Sequence, residues 1–579
     1  MSNHRVSRWG AVLVAFALLA AACGDNDDAA PTTAAPTTAA PTTTTAAPTT
    51  TTAAPTTTTA APGPLSGREG TVVVGKGMNA DLTFDPATAF AELFVTVFGA
   101  VYNHLVSFAE TPDGYDYSTL VPELATSWVS NDTATSWTFT LDPNARFHDG
   151  VPVTSEDVRW SFQRFINKQG PPSYQAGNIA SIDTPDAQTV VFNLTDPDAE
   201  FAMLTTSANL VVMNSALVIA NGGTDAEDAD VTDTAEQWLT ENSAGSGPFR
   251  MDVSDPGTRL ELVRVDDYWG GPPATMERII FTNIPEASSR VAALAQGDVD
   301  LVWTVPPHHA LGLSAEDYTV LQANTNHWYY LAFTANPDNN SFIANPKVQQ
   351  ALKLAIDYEG LQNLCPGFPS LRAYGLAPVR LGGIDAGIEQ DVPRALELLA
   401  EAGFPDGYTG DDTILFQTFH WTGFCPNFGD IVQKIALDWR AIDVNTEIQI
   451  QDAGVFFTNF RAADIDIVVS DWFPEYPSAI NSAAVSFPGG LLTGRAGWDD
   501  NSDGWPGYDE MAALADDLKA SVDQAERLDL LNQIETLSLE SSPIHLLVEV
   551  PEWYPHVSSL TGVIYHAIHR FEPYRMGRS

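Results

Sequence analysis

The stretch that decides the fold of this chain, residues 135–165, reads T-S-W-T-F-T-L-D-P-N-A-R-F-H-D-G-V-P-V-T-S-E-D-V-R-W-S-F-Q-R-F. Large apolar residues alternate with threonine over 137–141, which predicts a strand with one buried face. Gly150 follows an aspartate and favours a tight turn, because glycine accepts positive φ. Thr154 then has the character of a helix N-cap, with Asp157 three residues later as its capping-box partner. The stretch therefore predicts a strand, a turn and a helix in close succession.

Two further runs lie on either side of this stretch. L-V-P-E-L-A-T-S-W occupies 120–128, and I-P-E-A-S-S-R-V-A-A-L-A-Q-G-D-V-D occupies 284–300. Together with F-H-D-G-V-P-V-T-S-E-D-V at 147–158, they resemble the signature of the extracytoplasmic solute-binding proteins of peptide and nickel ABC importers, the oligopeptide- and dipeptide-binding type. The resemblance implies an α/β fold, namely a two-lobed periplasmic-binding-protein clamshell with an additional inserted domain, the large cluster C architecture.

The resemblance also implies how the chain is divided into domains. Strands alternate with helices over most of the chain, which favours α/β lobes. By analogy with the family we expect three folded parts, named here lobe I, domain II and lobe III. Lobe I is expected to comprise residues 71–102, 236–310 and 541–579, domain II residues 103–235, and lobe III residues 311–540.

Two segments precede the folded part. Residues 1–22 combine a positive start with an apolar core too short to span a bilayer, which is typical of an export signal. Cys23 follows three alanines and resembles the cysteine of a bacterial lipobox, so cleavage before Cys23 and lipidation of its thiol are expected. A plain secretory signal with an incidental cysteine is the alternative. Residues 29–64 repeat Ala, Pro and Thr without a large apolar side chain, so they cannot form a core.

We therefore interpret residues 23–70 as a lipid-anchored stalk that holds the folded part at the outer face of the cytoplasmic membrane. The net charge of −47 argues against a nucleic-acid partner, because phosphate repels an acidic surface. Cys365 and Cys425 form an even pair in what is then an oxidising compartment, so one disulfide is predicted, with two separate buried thiols as the alternative.

The most informative polar cluster is D-W-F-P-E-Y-P at 471–477, directly after the apolar run of a predicted strand. It resembles the family's G-W-x-A-D-Y-x-D-P motif, whose aspartate receives the α-amino group of a peptide. The matching position is Glu475, and the same motif makes Asp471, Trp472 and Tyr476 candidate ligand-binding residues. Asp471 stands where the family has glycine, and the motif's second Asp-Pro is missing.

Four aromatic or amide side chains elsewhere are further candidates for the ligand cleft. Trp421 and Phe424 follow a predicted strand and can stack on a ligand or on each other. Tyr329 lies in an aromatic strand and is a weaker candidate of the same kind. Asn79 belongs to the loop after the first strand, which reaches the ligand cleft in the family that the chain resembles.

The motifs of common enzymes are missing from the sequence: it has no P-loop, dinucleotide fingerprint, nucleophile elbow or H-E-x-x-H. Residues 499–510 satisfy the EF-hand loop pattern, so calcium is one interpretation of this segment and an ordinary helix start is the other. We predict no catalytic residue, no metal ligand and no cofactor.

The sequence thus predicts a monomeric binding protein that captures a small solute, first of all a peptide, and delivers it to an ABC permease and ATPase. An oligosaccharide or a metal chelate in the same cleft is the alternative within the family. A hydrolase that uses Asp471 and Glu475 as paired carboxylates is an alternative of another class. A sensor or scaffold without transport is a third.

Overall fold

The computed structural model describes residues 68–78, 83–89, 92–112, 114–365, 367–421 and 424–579. Within residues 135–165, Trp137, Phe139 and Leu141 point inward from the strand Ser136–Leu141. The helix Ser155–Lys168 follows, and the backbone N–H of its N-cap Thr154 donates a 3.0 Å hydrogen bond to the Asp157 carboxylate. The predicted strand and helix start are confirmed.

One mixed sheet of seven strands forms the centre of lobe I. Its first strand in the chain, Thr71–Lys76, runs parallel to both neighbours, and the other pairs are antiparallel. The strand order across the sheet is Tyr318–Ala323, Glu552–Val557, Leu301–Val302, Thr71–Lys76, Arg278–Asn283, Arg259–Arg264 and Phe249–Asp255.

A second mixed sheet, of six strands, forms the centre of lobe III. Trp328–Phe333 is buried along its whole length, and it pairs antiparallel with the strand Ile467–Trp472. The strand order is Leu371–Arg372, Ile544–Glu549, Trp328–Phe333, Ile467–Trp472, Leu415–Phe419 and Glu447–Gln451. The helices that cover this sheet are Pro346–Leu354, Tyr358–Gln362, Val392–Glu401, Phe428–Trp439, Ala453–Arg461, Ala479–Ala484, Leu491–Arg495, Tyr508–Ala520 and Gln524–Ser541.

Domain II is built on an antiparallel sheet of four strands, in the order Ala125–Ser130, Ser136–Leu141, Thr189–Leu194 and Ile179–Asp186. Its apolar side chains join the core of lobe I rather than forming a separate one.

The chain also contains pairs of shorter strands, which are Val106–Thr111 with Gly114–Pro122, Leu560–Thr561 with Gly577–Arg578, and Tyr565–His566 with Arg570–Phe571. The remaining α-helices are Glu92–Val101, Ser155–Lys168, Phe201–Leu204, Ser215–Ala220, Ala229–Thr232, Glu236–Glu241, Ala287–Gln296 and Pro307–Ala310.

The chain crosses between the two large sheets at two places, just before His327 and just after Val550. The crossings are held together, because the Thr325 hydroxyl donates to the Val550 carbonyl at 2.7 Å and the Val550 N–H donates to the His327 carbonyl at 3.0 Å. Such paired crossings allow one lobe to rotate against the other while the chain stays connected.

The two crossings lie at other positions in the chain than the boundaries between lobe I and lobe III that the sequence predicts. Tyr318–Ala323 pairs in the lobe I sheet although it lies within 311–540, the range expected for lobe III. Ile544–Glu549 pairs in the lobe III sheet although it lies within 541–579, a range expected for lobe I. A strand pattern in the sequence shows where a strand lies, but not which sheet it joins.

The helices of the described residues are all too short or too polar to cross a bilayer.

Candidate functional site

The cluster 471–477 lies at the end of a central strand of lobe III. The strand Ile467–Trp472 is buried between Trp328–Phe333 and Leu415–Phe419, so its last residues and the loop after it are held in fixed positions. The loop ends at Ser478, whose hydroxyl caps the helix Ala479–Ala484 by accepting from the N–H groups of its first turn. This arrangement presents the loop side chains to the space between lobe III and domain II.

A cavity of about 810 Å³ occupies that space, and we call it the large cavity. Domain II contributes Tyr174, Gln175 and Leu204 to its wall, and lobe III contributes residues that include Arg461, Glu475 and Arg495. A cavity of this volume has room for a small solute.

Glu475, the carboxylate that the motif comparison makes a candidate for ligand binding, lies half-buried in the wall of the large cavity. The Tyr174 hydroxyl, from domain II, donates a hydrogen bond to one of its oxygens. Burial raises the pKa of Glu475 above its usual range, and the bond from Tyr174 acts in the opposite direction. A cationic group of a ligand would relieve this cost of burial by pairing with the carboxylate.

Trp472 and Tyr476 are more deeply buried in the protein than Glu475. Trp472 is buried, with its ring 6.5 Å from that of Tyr174. Tyr476 lines the large cavity, but its hydroxyl donates to Glu200 of domain II at 3.3 Å. Glu200 also accepts from Ser478 and lies 3.5 Å from the Arg527 guanidinium. This buried network joins domain II to lobe III.

Asp471 is engaged elsewhere, because its carboxylate accepts a 2.9 Å hydrogen bond from His327 Nε2. The His327 ring contacts those of Tyr329 and Phe424, each with centroids 5.1 Å away, and it lies 6.1 Å from the ring of Trp421. Four of the residues predicted from the sequence, namely Asp471, Tyr329, Trp421 and Phe424, therefore surround one histidine, His327.

A smaller cavity, of about 400 Å³, borders this histidine cluster. Trp421 and Phe424 line it from lobe III, while Arg290, His308 and His309 line it from lobe I. The site residues predicted from the sequence thus divide into two groups: Glu475, Trp472 and Tyr476 at or near the large cavity, and Asp471, Tyr329, Trp421 and Phe424 around His327. Asn79 lies outside the described residues.

Phe473 connects the two lobes across their boundary. Its ring stacks on His327 of lobe III at 3.8 Å, and the guanidinium of Arg570, from the C-terminal segment, lies over it at 4.0 Å. Sequence reasoning missed His327, Tyr174 and Arg570, because they lie outside the motifs that the sequence offers. It also missed Phe473, because its place in the cluster 471–477 does not indicate contacts with residues distant in the chain.

The structure joins Cys365 and Cys425 in a disulfide, with their Cα atoms 5.7 Å apart. Cys425 also lines the smaller cavity beside Phe424, so the bond fastens the loop that carries two of the predicted aromatic residues. Cys23 lies outside the described residues.

Among the described residues, three side chains of metal-binding type lie close together: those of His566, His569 and Glu572. Their potential ligand atoms are within 4.8 Å of one another. However, His566 Nδ1 accepts backbone N–H groups at 3.1 and 3.0 Å, so the neutral ring carries its proton on Nε2, the atom that faces Glu572 at 3.7 Å. Metal-bound histidines usually donate from the second nitrogen instead. Burial lowers the pKa of His566 to about 3, and the group fits buried neutral histidines better than a metal centre.

The segment with the EF-hand pattern has a local structural role. The Asp499 carboxylate accepts hydrogen bonds from the Gly489 N–H and from the hydroxyls of Thr493 and Tyr508, at 2.8 to 3.1 Å. Tyr508 also begins the helix Tyr508–Ala520. These bonds occupy the Asp499 oxygens, which a calcium loop would direct at the ion, and they support the alternative of an ordinary helix start.

The fold and this site together define a two-lobed binding protein with a cavity at a domain boundary. The family model of the bacterial extracellular solute-binding proteins, family 5 (middle), matches residues 119–490, and the chain belongs to this family. It is thus a solute-binding protein of the type that serves peptide and nickel ABC importers, extracytoplasmic in location, and not an enzyme. The fold class predicted from the sequence is confirmed.

One curated relative and two solved structures of the same fold show what the chain is similar to. The chain is 28% identical over 408 residues to the probable D,D-dipeptide-binding periplasmic protein of Escherichia coli, covering 70% of this chain and 75% of that one. The periplasmic binding protein of Helicobacter pylori in complex with the peptide STSA matches with a TM-score of 0.70 at 21% identity, over 88% and 98% of the chains. The binding protein of Agrobacterium tumefaciens in complex with agropinic acid matches with 0.70 at 24%, over 88% and 99%.

Proposed function

We propose that this protein binds a small peptide in the large cavity, through the peptide's α-amino group on Glu475, and delivers it to an ABC permease and ATPase. The observation that carries the proposal is the Glu475 carboxylate, half-buried in the cavity wall, where it accepts a hydrogen bond from the Tyr174 hydroxyl. The motif position of Glu475 and the peptide-binding names of relatives support it.

A panel of solutes tests this proposal against the alternatives within the family. The purified folded part is mixed separately with pooled dipeptides, pooled oligosaccharides, agropinic acid and a nickel–histidine chelate, and its melting temperature is measured. We expect the dipeptide pool to raise the melting temperature, because a ligand that binds the native state stabilises it by mass action. Stabilisation by one of the other solutes and not by dipeptides would contradict the peptide proposal. Native mass spectrometry of protein from its own cells would then identify the solute.

We further propose that the protein is a monomer, anchored by a lipid on Cys23 and held by the stalk 23–70 at the outer face of the cytoplasmic membrane. The small residues before Cys23 and the apolar segment before them support this part. Cys23→Ala is expected to move the protein from the membrane fraction to the medium, because a lipid chain is needed for stable attachment. A Cys23→Ala protein that still sediments with membranes at unchanged mobility would contradict lipidation.

A further inference from the structure

The charges that line the large cavity do not balance. Its wall contains one carboxylate, from Glu475, and two guanidinium groups, from Arg461 and Arg495. The chain as a whole has the opposite excess, with 74 acidic and 27 basic side chains. Two arginines in one cavity of so acidic a chain therefore need a local reason.

Neither arginine has an ion-pair partner among the described residues. The Arg495 guanidinium lies 5.3 Å from the ring centroid of Phe460, and that of Arg461 lies 5.6 Å from the ring centroid of Phe457. Many other arginines of the protein are paired: Arg164, for example, bonds to both Asp85 and Asp233. The two cavity cations thus have aromatic supports and no counter-charge within the described part of the chain.

Arg495 is the more enclosed of the two, since it is half-buried while Arg461 is exposed. Burial lowers the pKa of Arg495, and the positive charge of Arg461 acts in the same direction. An anion in the cavity would remove this cost, and a planar carboxylate matches the fork of a guanidinium in two parallel hydrogen bonds.

We propose that Arg495 binds a carboxylate of the ligand in the large cavity, with Arg461 as a second cation, so that the solute is a small zwitterion held between Glu475 and the two arginines. This inference rests on the proposed function and narrows its ligand class. An uncharged or purely cationic solute would leave both arginines uncompensated, which disfavours such ligands.

Three probe pools test the assignment by calorimetric titration and melting curves: free-acid dipeptides, the same dipeptides as C-terminal amides, and amides with glutamate at the second position. We expect the plain amides to bind at least about tenfold more weakly than the free acids, because the cavity cations lose their counter-charge. Recovery of binding by the glutamate-containing amides would place the carboxylate on a side chain. Weak binding by them would place it at the C-terminus, and both results support a carboxylate site.

Arg495→Gln, with the exposed Arg440→Gln as matched control, assigns the effect to the residue. In Arg495→Gln the ratio of the affinity for free acids to the affinity for amides should shrink about tenfold, while the melting temperature without ligand stays unchanged or rises. Arg440→Gln should behave like the wild type. If Arg495 only stabilises the end of the helix Leu491–Arg495, its loss lowers the melting temperature and leaves the difference intact, which would overturn the proposal.

The outcomes separate this inference from the proposed function. If free acids and amides bind equally well, the peptide function stands and the assignment to Arg495 is wrong. If neither pool binds, the peptide function fails, and the zwitterion assignment fails with it.

Discussion

Two carboxylates lie four positions apart in this chain, at Asp471 and Glu475, and their surroundings in the structure differ. Asp471 accepts a hydrogen bond from His327, which is enclosed by aromatic rings. Glu475 faces a cavity, with a bond from Tyr174 of another domain. The same local motif thus provides one carboxylate that is satisfied within the protein and one that lines a cavity. A polar residue at a strand end indicates function only once its partners are known.

The largest effect is expected from loss of the disulfide, because this bond fastens the region around His327, the partner of Asp471. The Cys365→Ser, Cys425→Ser double variant opens a loop with a sequence separation of 60 residues. Its free energy of unfolding should fall by roughly 4 kcal/mol, on a chain-entropy model. Denaturant unfolding of both proteins measures the change. Wild-type protein in which denaturing, non-reducing alkylation labels both thiols would show that the bond does not form.

Glu475→Gln tests whether the charge of this carboxylate contributes to ligand affinity. The substitution keeps size and hydrogen bonding but removes the charge, so a bound ammonium group loses its partner. Affinity for the dipeptide that binds best should fall by about a hundredfold, equivalent to about 3 kcal/mol. The melting temperature without ligand should hardly change. Calorimetric titration and melting curves measure both, with the exposed Glu316→Gln as matched control. A variant with lower stability and unchanged affinity would assign Glu475 a structural role.

Asp471→Asn should give the reverse pattern. The hydrogen bond from the buried His327 loses its charged acceptor, which costs about 1–2 kcal/mol of folding stability. Affinity for the same dipeptide should change less than about threefold, because Asp471 has its partner within lobe III. The exposed Asp132→Asn serves as control in the same unfolding and titration experiments. A loss of affinity as large as that of Glu475→Gln would mean that both carboxylates contact the ligand.

The pH dependence of binding gives the smallest effect. Because burial raises the pKa of Glu475, this group favours the ligand-free native state when it is protonated, and that contribution is lost as the pH rises through the raised value. Binding of an ammonium group requires the ionised form and has the opposite dependence. Affinity should therefore fall as the pH decreases through the raised pKa, before ordinary carboxyls titrate near about pH 4. Titrations from about pH 7.5 to about pH 5 should show this decline in the wild type but not in Glu475→Gln.

The sequence alone determined the fold class and the family, because its signals are local. Alternating apolar residues over 137–141 and the cap at Thr154 specify a strand and a helix through contacts within a few residues. The motif at 471–477 likewise located Glu475. These features depend on neighbours in the chain, so they can be read without knowledge of the tertiary structure.

The tertiary structure decided which of the motif's residues line the large cavity. Tyr174 and Glu475 are 301 positions apart, and His327 and Asp471 are 144 apart, so no local pattern could have paired them. The membership of strands 318–323 and 544–549 in their sheets was also decided by pairing across the whole chain. The two uncompensated arginines became visible only when folding placed them in one cavity, because the counter-charges of a side chain depend on its neighbours in space.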